Sequence, residues 1–188
     1  MADELRLWLI RHAPVDGPRG VIHAPDAPAD LTDTARLEAL KAALPKDAPA
    51  WVSPARRTVE TAQALGLTAT EEMDFREQGF GEWTGRRHDD LAVELGPAYT
   101  IFWRAPARRR PPGGESFCDQ IARVKRGIDT LPDGDAVLVV HSGTIRAALS
   151  IALDLAPECA LRFVADPLSL TRLDRLAGSW RVGCVNRR

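Results

Sequence analysis

The stretch that decides the fold is LRLWLI at residues 5–10, which is followed at once by Arg11 and His12. It alternates and then becomes fully apolar, which is typical of a strand buried on both faces of a parallel sheet. A second apolar run, AVLVV at 136–140, is followed directly by His141. Because the carboxyl ends of parallel strands share one edge of a sheet, we expect both histidines at one site.

Helical and strand-like segments alternate along the whole chain. Helices are predicted at 32–44, 54–65, 88–104 with a break near 96–97, 116–131 and from Thr144, and further strands at 50–53, 67–72, 168–174 and 180–185. The last two strands are expected to form a closing hairpin, and Pro54 is expected in the first turn of its helix. This alternation predicts an α/β fold of three layers, with helices on both faces of a mostly parallel sheet.

The length of 188 residues predicts a single domain, 1–188, large enough to bury a core without metals or disulfides. Residues 73–115 interrupt the alternation: they are rich in glycine and end in the Pro/Gly/Arg loop 105–114. This segment is too irregular for a further βα unit. We therefore expect it to form a cap over the sheet edge and to determine substrate specificity.

Composition and charge narrow the function classes. A net charge of -1 argues against a nucleic-acid or anionic-membrane partner, since either would be met by a basic excess. The three cysteines form no CxxC pair, which argues against a disulfide framework or a structural zinc site. The apolar run at 7–10 is too short for a signal sequence or a membrane span. A cytoplasmic location is the expectation.

Arg56 and Arg57 occupy the predicted first turn of the helix that follows the second strand. A cation there opposes the helix dipole and costs a few tenths to about 1 kcal/mol, so a local structural reason is weak. A bound anion would reverse the sign of this effect. Because the two residues are adjacent on a helix, only one of them can face the site.

Together, Arg11, His12, Arg57 and His141 predict a positive pocket that is rich in N–H donors. Guanidinium groups match phosphate oxygens in a bidentate manner, and phosphoryl transfer needs mainly positioning and charge neutralisation. Backbone donors at the start of the next helix, including that of Ser142, would add to the pocket. The residues thus predict a phosphoryl site that needs no metal.

Five motifs in order carry a family resemblance. They are Arg11-His12, Ser53-x-x-x-Arg57-x-x-x-Thr61-Ala62, Arg76-Glu77-x-x-Phe80-Gly81-x-Trp83-x-Gly85, Gly113-Gly-Glu-Ser116 and His141-Ser-Gly-Thr-Ile-Arg146. In this order and spacing they resemble the histidine phosphatase superfamily, which includes cofactor-dependent phosphoglycerate mutases and many small phosphatases. The resemblance covers nearly the whole chain and implies a phosphoglycerate mutase-like fold.

The resemblance also implies roles for individual residues. His12 would be the nucleophile that becomes phosphohistidine, and Glu77 would protonate the leaving oxygen. The phosphate would be bound by Arg11, Arg57, His141 and Ser142, with His141 also catalytic. No metal and no cofactor are implied. A neutral imidazole is a competent nucleophile, and an alkoxide leaves poorly unless it is protonated, so this assignment agrees with the chemistry.

The chain departs from the usual family pattern at two points. Ala13 stands where the family commonly has glycine, and an asparagine that often contacts the phosphate is missing from residues 14–20. The phosphate site would then use backbone groups or Arg19. The opening, together with Gly20 and Asp30-Leu31-Thr32, is more similar to alpha-ribazole phosphatase-type members, which act in cobalamin assembly, than to the glycolytic mutases.

For most of the other residues near the expected site the sequence predicts a structural role, and for a few it leaves the role undecided. Packing is expected for Phe80 and Trp83, a turn-and-cap role or substrate contact for Glu115 and Ser116, and solvated surface for His88 and for Arg108, Arg109 and Arg110. The arginine triplet could instead recognise an acidic or nucleotide-like substrate, and His23 stays ambiguous.

The leading hypothesis is a metal-independent phosphomonoesterase that acts on a small phosphorylated metabolite, with alpha-ribazole phosphate as one candidate. The alternatives are a phosphoglycerate mutase and a non-catalytic phospholigand-binding module. A metallohydrolase using the four histidines, His12, His23, His88 and His141, is the weakest, since no HxxxH or HxH spacing occurs. The oligomeric state stays open, with a homodimer as one option.

Overall fold

A computed structural model describes residues 4–188 and contains one six-stranded sheet. The strands are β1 (Glu4–Arg11), β2 (Ala50–Val52), β3 (Ala69–Glu71), β4 (Gly134–Val140), β5 (Leu170–Leu176) and β6 (Ser179–Arg187). Their order across the sheet is β3-β2-β4-β1-β5-β6. The first four strands pair in parallel, whereas β5 and β6 form an antiparallel hairpin at one edge. The predicted mostly parallel sheet and closing hairpin are confirmed.

The helices follow the predicted positions closely. They are α1 (Thr34–Ala43), α2 (Arg56–Ala64), α3 (His88–Leu95), α4 (Pro97–Arg104), α5 (Phe117–Asp129), α6 (Ser142–Ala152) and α7 (Pro157–Ala160). The short helix α7 was not predicted, and three starts were predicted two residues away from their positions in the structure: α1 begins at Thr34 rather than at Thr32. Pro54 precedes the first turn of α2, whose N-cap is Ala55, and α6 begins at Ser142 rather than near Thr144, with His141 as its N-cap. None of these helices is long and apolar enough to cross a bilayer.

Helices cover both faces of the sheet because the strand side chains alternate between two hydrophobic clusters. Leu5, Leu7 and Leu9 of β1 are fully buried on the face covered by α5 and α6. Ile10 is buried on the opposite face, where α1 and α2 pack. Burying each such side chain contributes about 1.5–3 kcal/mol. The three-layer α/β architecture predicted from the sequence is therefore confirmed.

Three strands end at the same level on one edge of the sheet. The backbone N–H of His12, just after β1, donates to Val140 O of β4 at 2.9 Å, and the N–H of Ser53, just after β2, donates to Val139 O at 3.4 Å. His141 follows Val140 directly. The parallel register thus places His12, Ser53 and His141 side by side.

Residues 73–115 lie beside this edge and contain two 3-10 turns, at Met73–Phe75 and Gly81–Trp83, besides α3 and α4. The predicted break between these two helices is confirmed: Gly96 has a φ of 51° and precedes Pro97. The segment has its own hydrophobic cluster, which also takes in one residue of the loop after β1. Its buried members are Ile22, Trp83, Leu91, Tyr99 and Phe102.

Candidate active site

The tautomer of His12 is fixed by its neighbour. The ring Nδ1 lies 2.6 Å from Ala13 O, and a carbonyl can only accept, so Nδ1 carries the proton. The lone pair is therefore on Nε2. Burial, the nearby His141 and then Arg57 lower the pKa of His12 well below its usual range. The ring is neutral at physiological pH, with Nε2 available as a nucleophile.

Arg57 joins the two histidines. Its Nε donates to His12 Nε2 at 3.3 Å, and its Nη2 lies 3.4 Å from His141 Nδ1. Nη1 donates to Ala24 O at 3.0 Å, which fixes the plane of the guanidinium. The neighbouring Arg56 is exposed and pairs with Glu60 instead. As predicted, only one arginine of the pair faces the site.

His141 is fully buried at the N-terminus of α6. Its ring centroid lies 5.1 Å from that of His12, with the planes at 66°. A guanidinium only donates, so Nδ1 of His141 accepts from Arg57, and Nε2 carries the proton to Ser53 Oγ at 2.7 Å. Burial and then Arg57 lower the pKa of His141 well below its usual range.

Arg11 supplies a second buried guanidinium. Its Nη1 donates to Ala165 O at 2.6 Å, and its buried Nε has no hydrogen-bond partner among residues 4–188. Burial lowers the pKa of Arg11, and the negative charge of Glu77 opposes this shift. At this depth an unpaired N–H is costly, and a phosphate oxygen would supply the acceptor.

The side chain of Glu77 contacts the first turn of α6 and lines the same cavity as His12. Its Oε1 accepts from the backbone N–H of Gln78 at 3.0 Å and from Gln120 Nε2 at 3.1 Å, and its Oε2 accepts from the N–H of Gly143 at 3.5 Å. A Cβ added at Gly143 would clash with Glu77 Oε1. Glycine at 143 is thus required by the close approach of the carboxylate to the helix.

The loop that carries Glu77 is held by Arg123 of α5, which the sequence analysis did not single out. This buried guanidinium donates to the carbonyls of Asp74, Arg76 and Glu77 at 2.8, 2.9 and 3.1 Å. It also forms a bidentate ion pair with Glu115. A basic residue on the inner face of a predicted amphipathic helix was the available signal.

Glu115 and Ser116 have the structural roles left open above. Glu115 Oε1 accepts from Gly79 N at 2.9 Å and so ties the Glu77 loop to the start of α5. Ser116 is the N-cap of α5 and forms a complete capping box with Asp119. Neither Glu115 nor Ser116 lines the cavity.

Ala13 fits the position where the family commonly has glycine. It is fully buried, it is absent from the residues of 4–188 with positive φ, and its backbone makes the two contacts that matter here. Its N–H donates to Thr61 Oγ1 at 3.0 Å, and its carbonyl accepts from His12. Of the two expected substitutes for the missing asparagine, backbone groups or Arg19, the structure does not support Arg19, which is exposed and does not line the cavity.

These groups open into one cavity of about 690 Å³. The predicted site residues that line it are Arg11, His12, Arg57, Glu77, His141 and Ser142. His88, expected on solvated surface, lines it as well, because the start of α3 folds back over the site. Phe80 was expected to pack, and it also lines the cavity. Trp83 is buried in the hydrophobic cluster of residues 73–115.

The arginine triplet lies away from the cavity. Arg108 pairs with Glu158 and Arg110 with Asp119, and both side chains are exposed. His23 lines the cavity, and burial lowers its pKa. Within residues 4–188, no group of three or more His, Cys, Asp or Glu side chains is placed to hold a metal ion.

The arrangement can bind a tetrahedral phosphate group and accept its phosphoryl group on His12 Nε2. The guanidiniums of Arg11 and Arg57 line the same cavity as His12 Nε2, together with the buried His141 ring and the N-terminus of α6. These donors complement charge on phosphoryl oxygens, and a carboxyl group lies in the same cavity for proton transfer.

A comparison with models of protein families shows which family the chain matches. Residues 7–188 match the family model for the histidine phosphatase superfamily, branch 1. The chain belongs to the histidine phosphatase superfamily. The match covers all five motifs, which confirms the family resemblance seen in the sequence.

Relatives of this chain include mycobacterial proteins. It is 36% identical over 143 residues to a bifunctional protein of Mycobacterium tuberculosis, covering 71% of this chain and 39% of that one. It therefore spans about two fifths of the length of that relative. It is also 32% identical over 167 residues to a glucosyl-3-phosphoglycerate phosphatase of Mycolicibacterium vanbaalenii, covering 79% and 73% of the two chains.

The fold of this chain is similar to that of solved structures. A putative alpha-ribazole-5'-P phosphatase from Escherichia coli superimposes with a TM-score of 0.87, covering 98% of this chain and 97% of the other, at 22% identity. At this identity the likeness concerns the fold, which confirms the phosphoglycerate mutase-like architecture expected from the family resemblance.

Proposed function

We propose that this protein is a metal-independent phosphomonoesterase that acts on a small phosphorylated metabolite through a phosphohistidine at His12. The observation that carries the proposal is the fixed tautomer of His12. Its proton is held on Nδ1 by Ala13 O, and its Nε2 lone pair lies in a pocket with Arg57 at 3.3 Å. A nitrogen nucleophile among cations is the arrangement that attack on a phosphate ester needs.

In the first step, His12 Nε2 attacks phosphorus, the N–P bond forms and the bond to the ester oxygen breaks. Glu77, as the carboxylic acid, gives its proton to the departing oxygen, which leaves as the alcohol. Arg11 and Arg57 neutralise the charge on the equatorial oxygens. His141 is neutral and gives its one N–H to Ser53 Oγ, so it acts by accepting from Arg57 Nη2 and orienting that guanidinium. The N–H of Ser142, at the start of α6, adds a dipolar donor, whereas the N–H of Gly143 donates to Glu77 Oε2 at 3.5 Å.

In the second step, water attacks the phosphohistidine. Glu77, now the carboxylate, accepts the proton from water, the N–P bond breaks and inorganic phosphate leaves. The imidazole of His12 returns to its neutral form with the proton still on Nδ1. Glu77 ends the cycle protonated, so protons and charge balance over the two steps.

The charge of the cavity supports hydrolysis over mutase chemistry. Among the described residues that line it, only Arg76 carries a positive charge in addition to Arg11 and Arg57, and Arg76 also donates to Met73 O at 3.0 Å. A bisphosphate or a carboxylated phosphate would need further cations. A mutase would return isomerised substrate, whereas a phosphatase releases inorganic phosphate.

The names of the relatives suggest two esters to assay first, alpha-ribazole phosphate and glucosyl-3-phosphoglycerate. The second carries a carboxylate, so the low charge of the cavity makes it the poorer candidate. Phosphate release should be measured on both, together with 3-phosphoglycerate. Labelled substrate should leave acid-labile phosphate on His12. His12→Ala should abolish turnover, and retention of full activity by this variant would contradict the mechanism.

A matched pair of variants tests the phosphate pocket. Arg57→Ala should raise KM and lower kcat, because the guanidinium is in contact with both histidines. Arg56→Ala is the control, since Arg56 is the adjacent arginine and is bound to Glu60 at the surface. Equal effects of the two substitutions would contradict the placement of Arg57. Phosphate binding with no turnover of any ester would support a binding module instead.

A further inference from the structure

The wall of the cavity contributed by residues 73–115 is aromatic and apolar. Phe80, His88 and Trp103 line it, together with Met73. Trp103 is 41% exposed and Met73 is 59% exposed, although both are large apolar side chains. Exposed apolar surface of this size within a concave site is typical of a ligand-binding wall.

This aromatic wall is assembled before any ligand binds. The Trp103 ring lies 5.1 Å from the Phe102 ring at 89°, 5.8 Å from the His88 ring and 6.4 Å from the Phe80 ring. His88 Nδ1 is hydrogen-bonded to the Tyr99 hydroxyl, which fixes the imidazole. These contacts among the rings support the wall from behind, and a wall that is already packed costs a ligand less free energy to order.

The charge of the same region is low. Glu77, Arg11 and Arg57 belong to the phosphate end, which leaves Arg76 as the single further charged residue among the described residues lining the cavity. His23 is held neutral, since burial and then Arg57 lower its pKa. A leaving group with its own phosphate or carboxylate would thus meet few partners here.

We propose that the alcohol half of the substrate carries a flat, uncharged ring that stacks on the aromatic wall formed by Phe80, His88 and Trp103. This inference rests on the proposed phosphatase function and deepens it. The cavity of about 690 Å³ is within the usual range for ligands of nucleoside size and far exceeds what a phosphate needs. Stacking of one base on an aromatic side chain favours binding by about tenfold or more.

Adenosine 5'-monophosphate and ribose 5-phosphate provide a matched test. Both have the same primary alcohol as leaving group, and they differ in the presence of the base. We expect kcat/KM to be about tenfold or more higher for the nucleotide. A ratio near one, or one that favours ribose 5-phosphate, overturns the inference while leaving the phosphatase function in place.

Trp103→Ala should lower this ratio toward one. Ile101→Ala is the control, because Ile101 lies on the same helix, is 42% exposed and does not line the cavity. The control should keep the ratio of the unaltered protein. If both variants keep it, Trp103 does not provide the stacking surface and the inference fails.

A binding measurement distinguishes failure of the proposed ring stacking from failure of the proposed phosphatase function. If neither ester nor any other phosphomonoester is hydrolysed, the phosphatase function fails. Calorimetric titration of the unaltered protein with the same two compounds then tests the aromatic wall alone. Tighter binding of the nucleotide by about tenfold supports the wall as a ring-binding surface, and equal affinities overturn it.

Discussion

Replacing Arg123 with methionine should destabilise the fold and slow turnover together, because this one guanidinium holds the loop that carries Glu77. Its side chain is 3% exposed and donates five hydrogen bonds, two to the Glu115 carboxylate and three to carbonyls of residues 74–77. Methionine keeps the length and apolar character of the stem but removes every donor.

The magnitude follows from what the substitution leaves behind. A largely buried carboxylate, Glu115, would lose its cation, and three backbone carbonyls would lose a donor. Breaking a buried ion pair by removing one partner costs about 3–5 kcal/mol. Glu115 is 17% exposed, so water can reach it, and we expect a loss at the lower end, about 3 kcal/mol. For a chain of this length that corresponds to a fall in Tm of about 6–12 °C.

The assay is denaturant unfolding combined with steady-state kinetics at a temperature where the variant stays folded. We expect kcat to fall by about tenfold or more with a smaller change in KM, because the loop positions the proton donor rather than the phosphate. Arg126→Met is the matched control. Arg126 is on the same helix and pairs with Asp74 of the same loop, but its side chain is 65% exposed, so its loss should cost less than about 1 kcal/mol.

The reasoning would be refuted if Arg123→Met lost no more stability than Arg126→Met, or if its kcat were unchanged in the folded state. The first result would mean that the buried pair contributes nothing net to folding. The second would mean that the position of Glu77 does not depend on Arg123.

Three further outcomes are expected. Gly143→Ala should lower kcat by about tenfold or more while Tm changes little, since the added Cβ displaces the Glu77 carboxylate; unchanged kinetics would contradict this contact. Ala13→Gly should keep activity, because Ala13 serves through its backbone, and should lose about 1 kcal/mol in a denaturation experiment. His12 and His141 are neutral when folded but take up protons below about pH 6.5 when unfolded, so the free energy of unfolding should fall as pH decreases from there to their lowered pKa values and then level off. His141→Gln should make that fall shallower in unfolding titrations at pH 5, 6 and 7.

The local sequence predicted those parts of the site that depend on strand ends. His141 follows its apolar run directly and His12 follows Arg11 at the end of the other, and parallel pairing of β1 with β4 alone brings them together. Arg57 was predicted as one of two candidates, because neighbours on a helix face different ways. The three misplaced helix starts, predicted at Thr32, Pro54 and Thr144, differ from the structure by two residues each, a usual error for boundaries set by caps.

Contacts between segments far apart in the chain could not be predicted from local sequence patterns. Arg123 and Glu115 are buried against the Glu77 loop only because α5 packs beside it, and each alone resembles an ordinary charged surface residue. His88 and Trp103 belong to α3 and α4, and their shared wall depends on how these helices fold back over the sheet edge. No periodicity or motif spacing in the sequence predicts how α3 and α4 pack relative to the sheet edge.

By itself, then, the order of apolar runs, caps and motifs determined the α/β sheet, the strand ends and the candidate residues of the positive pocket, because strand burial and side-chain chemistry are local properties. Tertiary packing decided the tautomer of His12, the support of Glu77 and the aromatic character of the cavity wall. Those depend on distances between residues far apart in the chain, and such distances exist only once the layers have packed.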